Sequence, residues 1–536
     1  MKKFLFFSPK IVQNVVLLFL VCVACSCSNN GGEDNPTNPN DIKGNVTVSL
    51  TPEKSKRQLN PMQGWVIYAS IRGGDLSSDF WQKYDNFDSS DGKIKVSDYA
   101  TTLYIRGSWA DFNPRRGVYV WQANCDTEAA KNFRLLAKGA KERGLRLAFT
   151  FVVDSRDKHW NCTPDYVKED GAKGYRTVTG SFTGWSPYPD DPVFQKDYAS
   201  FLTDFAKVFN DPKTTQFISG FGLGKWGEGH TLIYSTGDAT PRQKTFDWIT
   251  SLMSRLFTKV PIVVNYHRCL LSTTDYTTSD SDFDFAGALV SQAVNKGFSL
   301  RHDAFGMKHY YSDWERGIAQ IYHFKVPIIM EGGWVEGSHG DAIKSDGYHN
   351  FAEVRQGEFS EGKVAHVNMM DLRYSSNVNT GETHSWFNSA FNLVKEFISD
   401  GGYRLYPDQV SVPRSITTGT KVAIRSRWIN LGWGYCPTNI PQWNQKYKVC
   451  FALLDKSTNR PVFKYIDVAP CLNEWVKGNP KEYNTSFTVN GVKAGDYTWA
   501  VGLVDTTDDN IGIDISVLNS YKTPEGWVKL NDVSVR

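Results

Sequence analysis

The chain has 536 residues, with 60 Lys and Arg against 57 Asp and Glu, for a formal net charge of +3. So even a balance gives no electrostatic ground for a nucleic-acid partner, and the length exceeds one ordinary domain, which predicts two or three. Aromatic residues make up 14% of the chain, with 17 Trp and 25 Tyr; such rings fill cores and also offer faces to sugars, so composition alone does not separate the two uses.

In chain order, Met1-Lys-Lys opens a basic region, and an apolar stretch over residues 11–24 is broken only by Gln13 and Asn14. The stretch is short for a membrane span and sits where a secretory signal belongs. It runs into Val23-Ala-Cys-Ser-Cys-Ser28, which resembles a bacterial lipoprotein signal. Cys27 fits the lipidated position better than Cys25, because Ala24 and Ser26 supply small residues three before and one before it. Residues 1–26 are therefore expected to be a signal peptide and 27–45 a flexible tether, since 28–40 hold nothing apolar to bury. The resemblance implies a protein of the bacterial cell envelope, anchored by lipid to the outer membrane or cell surface and not spanning it. A plain cleaved signal is the alternative.

From 46 to 400 short apolar runs alternate with amphipathic helical patterns, which predicts an α/β fold. Strands are expected at 64–69, 102–106, 146–153, 217–222, 261–266, 304–308, 327–331 and 364–369. Helices are expected at 126–143, 193–209, 241–257, 285–296, 312–323 and 385–398, the third with Thr240 as N-cap and Pro241 in its first turn. Eight strands with intervening helices fit a (β/α)8 TIM barrel. A doubly wound open sheet is the alternative, but no G-x-G-x-x-G stands at a first strand–helix turn. Over 401–536 seven short runs separated by Gly and Asp turns predict an accessory antiparallel β-sandwich. Of nine cysteines, Cys125, Cys162, Cys269, Cys436, Cys450 and Cys471 lie beyond the signal and show no C-x-x-C spacing, so no zinc site is expected. Cys436, Cys450 and Cys471 share one region and are candidates for pairing after export. The acidic stretch 505–514 has oxygen ligands of the kind calcium takes but reads better as a solvated loop. No metal or cofactor is expected.

The chemistry concentrates in Phe221-Gly-Leu-Gly-Lys-Trp-Gly-Glu-Gly-His230 and Val326-Pro-Ile-Ile-Met-Glu-Gly-Gly-Trp334. Each sets one glutamate, Glu228 or Glu331, just past an apolar run, where a β/α barrel carries its reactive groups. Glycosidic cleavage needs such a carboxylate pair: one acid protonates the leaving oxygen, and the other attacks the anomeric carbon or activates water. With Glu228 after the fourth strand and Glu331 ending the seventh, the chain resembles the clan-A glycoside hydrolases, in which those places hold the acid/base and the nucleophile. The stretch Leu103-Tyr-Ile-Arg-Gly-Ser-Trp-Ala-Asp-Phe-Asn-Pro-Arg-Arg-Gly-Val-Tyr-Val-Trp121 is similar to the strand-two region of β-galactosidase-type barrels, with Arg106 ending the strand. Gly227-Glu228, Ser186-Pro-Tyr-Pro-Asp-Asp-Pro-Val193, Asp303-Ala-Phe-Gly306 and Gly402-Tyr-Arg-Leu-Tyr406 together resemble the barrel-plus-sandwich family catalogued as domain of unknown function 4832. Gly227 departs from the clan pattern, which has Asn before the acid/base to bind the sugar 2-hydroxyl; Asn265 is expected to stand in.

Expected substrate-binding residues are Arg106, Trp226, Asn265, Tyr266, His309, Tyr310, Trp334 and Asn368, with His267 and His366 on the same rim. Trp109 and Trp121 are assigned to the core, Glu336 is a rival second carboxylate, and His302 with Asp303 makes no metal pair. The expected function is a surface-anchored O-glycosyl hydrolase of an oligo- or polysaccharide, retaining, with Glu228 kept protonated by a raised pKa and Glu331 ionised. The alternative is a non-catalytic glycan-binding lipoprotein on the same scaffold.

Overall fold

Eight parallel strands close into a barrel in the computed structural model, which describes residues 42–72, 78–275, 283–333, 346–373 and 381–536. In chain order they are β1 (Gly64–Ser70), β2 (Ala100–Ser108), β3 (Arg146–Val152), β4 (Thr215–Ser219), β5 (Ile262–Asn265), β6 (Phe298–His302), β7 (Ile328–Met330) and β8 (Met369–Asp371). Each pairs with the next in parallel, and β8 returns to β1 through Met370 opposite Trp65. The strands are buried along nearly their whole length, as a parallel sheet covered by helices requires.

Register decides which side chains fill the barrel. Tyr68, Tyr104, Ala148, Phe217, Val263, Ile329 and Met369 form one inner apolar layer. Two residues further along each strand, nearer the carboxyl ends, the same face carries Ser70, Arg106, Thr150, Ser219, Asn265, Glu331 and Asp371, with Arg301 from β6. The barrel is therefore apolar at its waist and charged beneath its mouth. The other strand faces carry residues such as Ile67, Ile105, Phe149 and Val264, which pack among helix residues including Phe133, Phe205 and Phe246.

The helices Glu128–Glu142, Pro192–Phe209, Arg242–Leu256, Phe283–Asn295 and Asp313–Tyr322 lie within three residues of their expected bounds. Three elements differ. The sixth strand is Phe298–His302, not 304–308, because Ser299 and Arg301 point inward and break the apolar run that marks a buried strand. The last barrel strand begins at Met369, not 364, because a helix over Phe351–Val364 takes up the preceding residues. The expected helix at 385–398 is divided at Ala390 into Glu382–Ser389 and Phe391–Asp400.

The C-terminal region forms two sheets. One pairs Leu405–Pro413, Lys421–Asn430 and Lys481–Thr488 with Asn45–Ser49 from the start of the described chain, so residues 46–49 belong here and not to the barrel. The other joins Tyr447–Asp455, Pro461–Asp467, Gly495–Asp505, Asn510–Ile513 and Val528–Val535, with Ser415–Ile416 along its edge. Leu405, Val449 and Trp499 from these sheets share one apolar cluster with Val66, Phe217 and Ile329 inside the barrel. Tyr403 donates its hydroxyl to the Pro61 carbonyl and Gln442 its amide to the Gly297 carbonyl, both just before barrel strands, so this region closes the N-terminal end of the barrel. Cys436, Cys450 and Cys471 are free thiols, as are the other three cysteines of the described residues, so the pairing entertained from sequence is not made. Asp505 accepts from the backbone and hydroxyl of Thr507 and from Lys446, as in a tight turn. Among the described residues no helix is long and apolar enough to cross a membrane.

Candidate active site

A cavity of about 270 Å³ opens at the carboxyl ends of the strands. Among the described residues every strand end but that of β5 contributes to it: Arg72 after β1, Arg106 and Asp111 at β2, Lys158 and Trp160 after β3, Trp226 and Glu228 after β4, Asp303 and Tyr310 after β6, Gly333 after β7 and Arg373 after β8. Carboxyl ends gather loops from many strands around one point, which is why barrels place chemistry there.

Glu228 stands at the centre of this ring. The turn that presents it runs through Trp226 and Gly227, both at positive φ, 58° and 79°. Gly227 also lies so close to the Phe151 carbonyl oxygen that an added Cβ would be inside contact distance. The backbone there leaves no room for an asparagine side chain. His267 donates from Nε2 to the Glu228 carbonyl at 2.9 Å, fixing the backbone. Arg106 donates from Nη1 and Nη2 to Glu228 Oε1 at 3.3 and 3.2 Å, and also to the Trp226 carbonyl. His230 Nε2 lies 3.5 Å from Oε2.

The second carboxyl beside Glu228 is Asp303, immediately after β6, and the two hydrogen-bond to each other. Burial works against charge on both. For Glu228 the His230 hydrogen bond and the Arg106 charge overcome it and hold the group well below the ordinary carboxylate range. For Asp303 burial and the Glu228 charge act together and push it well above that range. Two carboxyls in contact do not both ionise. Near neutral pH Glu228 holds the charge and Asp303 the proton, the reverse of the raised pKa expected for Glu228.

Glu331 follows β7 on the inner face of the barrel and is 1% exposed. Arg301 and Arg373 both form ion pairs with it. Arg373 lines the cavity and Glu331 does not; of the expected pair Glu228 stands on the cavity wall, and the carboxyl beside it there is Asp303. Arg106, Trp226 and Tyr310 line the cavity as expected. The other expected contacts are elsewhere. Tyr266 is fully buried in the core with its hydroxyl 3.4 Å from that of Tyr311. Asn265 lies on the inner face of β5 and off the cavity wall, its Oδ1 buried without a hydrogen-bond partner. His309 points outward, 57% exposed and 3.8 Å from Asp346. Asn368 precedes β8 at the opposite end of the barrel, where it donates to the Met62 and Tyr435 carbonyls at 3.0 and 2.8 Å. His366 lies there too, bonded to the Trp433 carbonyl. Trp334, Glu336 and Cys27 lie outside the described residues.

Sequence reasoning missed Asp303 as a site residue, along with Arg72, Lys158, Trp160 and Arg373. The one available signal was its place in the Asp303-Ala-Phe-Gly306 motif; that it touches Glu228 follows from barrel closure.

No family model matches the chain, and no curated protein matches it. The resemblance to domain of unknown function 4832 therefore rests on its quoted motifs alone. Solved structures similar to the chain include the glycoside hydrolase family 30 subfamily 8 xylanase Xyn30A of Clostridium acetobutylicum, at 13% identity over 82% of this chain and 97% of that one, with a TM-score of 0.35. Endo-glycoceramidase II of Rhodococcus sp. is similar at 12% identity over 83% of this chain and 100% of that one, TM-score 0.35. A hyperthermostable endo-1,4-β-D-mannanase of Thermotoga petrophila RKU-1 is similar at 9% identity over 63% of this chain and 99% of that one, TM-score 0.39. The barrel itself stands on its own strand pairing.

Proposed function

We propose that the chain is a glycoside hydrolase that cuts an O-glycosidic bond of an oligo- or polysaccharide in this cleft. The observation that carries the proposal is the pair of buried carboxyls, Glu228 and Asp303, hydrogen-bonded to each other on the cavity wall at the barrel mouth. Glycosidic bonds break when a carboxyl hands its proton to the departing oxygen. Asp303 is that donor: its O–H, given to Glu228, passes to a sugar oxygen that replaces Glu228 as its hydrogen-bond acceptor. Glu228 stays anionic, held by Arg106 and His230.

Glu331 is the proposed nucleophile, oriented by Arg301 and Arg373 on the inner face of the barrel. Its carboxylate attacks the anomeric carbon as the leaving oxygen departs with the Asp303 proton. Water then cleaves the glycosyl ester and returns its proton to Asp303, so the anomer is retained. This order requires Arg373, which lines the cavity, to turn aside when sugar enters. The double arginine clamp on Glu331 also favours a second reading, a glycan-binding protein that does not cut.

Assay of the purified protein on polysaccharides and aryl glycosides, with Asp303→Asn, Glu228→Gln and Glu331→Gln beside it, separates the two. Hydrolysis that falls at least about a hundredfold in Asp303→Asn and Glu331→Gln supports the enzyme. Tight binding with no turnover on any substrate supports the binding protein.

The C-terminal sheets are proposed to act as an accessory sandwich that seals and supports the barrel, in line with their shared apolar cluster. Display on the cell envelope through lipid on Cys27 is likewise proposed, from residues 1–45 of the sequence alone. Replacing Cys27 and Cys25 with Ala should release the protein from the membrane fraction; undiminished membrane association sinks the anchor.

A further inference from the structure

Among the described residues, every cation that lines the cavity except Lys158 has a carboxylate partner. Arg72 Nε lies 2.6 Å from Asp111 Oδ1, Arg106 Nη2 lies 3.2 Å from Glu228, and Arg373 is paired with Glu331. Asp303 holds its proton. Lys158 lines the same cavity and has no carboxylate partner among the described residues. The acids nearest to it in sequence are committed elsewhere: Asp154 to Arg156, and Asp157 to Lys225 at 3.0 Å. Burial first, then the nearby Arg106 charge, lower the Lys158 ammonium, and the more weakly acting Cys162, Glu228 and Asp157 do not offset them.

Trp160 adds a second observation. Two cations lie near its ring, Arg72 Cζ 4.8 Å and Lys158 Nζ 5.9 Å from the centroid. Its Nε1 is buried with no hydrogen-bond partner. An aromatic face able to stack on a sugar ring thus stands beside an ammonium and a guanidinium, the groups that bind carboxylate and sulfate through charge-assisted hydrogen bonds.

We infer that the substrate is an acidic glycan, whose carboxylate or sulfate ester seats against Lys158 and Arg72 while the sugar ring lies on Trp160. The inference rests on the hydrolase reading for its site but is tested by binding alone, so inactivity of the protein does not decide it. Isothermal titration of the purified protein compares three sets of oligosaccharides of equal length: uronate-bearing (oligogalacturonate, oligomannuronate), sulfated (carrageenan-derived) and neutral (xylo- and manno-oligosaccharides). One acidic set should bind at least about tenfold tighter than the neutral set, and the set that does identifies carboxylate or sulfate. Its affinity should weaken as NaCl rises. Lys158→Ala should weaken that acidic ligand about tenfold or more while leaving weak neutral binding unchanged, and Lys158→Arg should restore most of the loss. Equal or tighter neutral binding, no acidic binding, or acidic affinity unchanged in a folded Lys158→Ala protein overturns the inference. The hydrolase reading fails separately, if Asp303→Asn and Glu331→Gln leave turnover intact.

Discussion

Arg106→Met isolates the ion pair on which the candidate site depends. The guanidinium lies 3.2 Å from the Glu228 carboxylate, and the two side chains are only 16% and 9% exposed. At an effective dielectric of about 20, unit charges at that separation attract by roughly 5 kcal/mol. Methionine fills most of the arginine volume without its charge, and breaking a buried pair on one side usually costs about 3–5 kcal/mol. That is the destabilisation expected near pH 7, read from urea unfolding followed by tryptophan fluorescence. Its pH dependence is the sharper test. Glu228 is depressed in the folded wild type to about 2, so it contributes stability above the ordinary glutamate pKa, and that contribution is lost as pH falls through the folded value. The variant lacks it, and its buried carboxyl instead favours the protonated state. The difference between the two proteins should therefore be largest at neutral pH and narrow steadily as pH is lowered from 7 toward 3. Arg106→Lys, which keeps the charge and loses the fork, should cost less. A difference under about 1 kcal/mol at pH 7, or one constant from pH 7 to 4, would refute the proposed electrostatic role.

Three further outcomes are expected. Asp303→Asn keeps a donor toward Glu228 but has no proton to release, so turnover should fall by about 10²–10⁴; wild-type activity should also decline as pH rises past the raised Asp303 pKa, a limb that pH–rate profiles should not find in the variant. Arg355→Met should destabilise by about 3–5 kcal/mol in chemical denaturation, because it strands Glu358 and Glu382, bonded to Arg355 at 2.7 and 2.5 Å with all three fully buried. Glu358 also accepts from the Gly333 backbone at 2.7 Å, so the cavity wall after β7 should loosen with it. Gly227→Asn should lower stability by about 1–3 kcal/mol and not improve sugar binding, since the Phe151 carbonyl leaves no room for a side chain; a variant with wild-type stability and tighter sugar binding would show the turn to be more yielding.

Much of the barrel was legible because its strands are apolar on both faces. Gly64–Ser70 and Thr215–Ser219 were placed near their runs. Phe298–His302 was not, because Ser299 and Arg301 belong to the charged layer beneath the mouth. The reactive elements of a barrel are thus the ones whose strands least resemble strands. Displacing the last strand by five residues carried Asn368 and His366 to the wrong end of the barrel, although their residue types suit a sugar site. Glu228 was found from its glycine-rich turn. Its partner was not, because the contact joins the ends of β4 and β6 with β5 between them, which depends on barrel geometry and not on spacing.

The pairing of Val46 with Val412 sets a schedule for the nascent chain. A ribosome adding about 5–20 residues per second releases the partner of that first strand roughly 20–70 s after the strand itself emerges. During that interval Asn45–Ser49 is an unsatisfied edge, and the apolar waist of the barrel has no floor. Moving this strand by circular permutation to the end of the chain should shorten the wait while keeping its pairing with Leu405–Pro413.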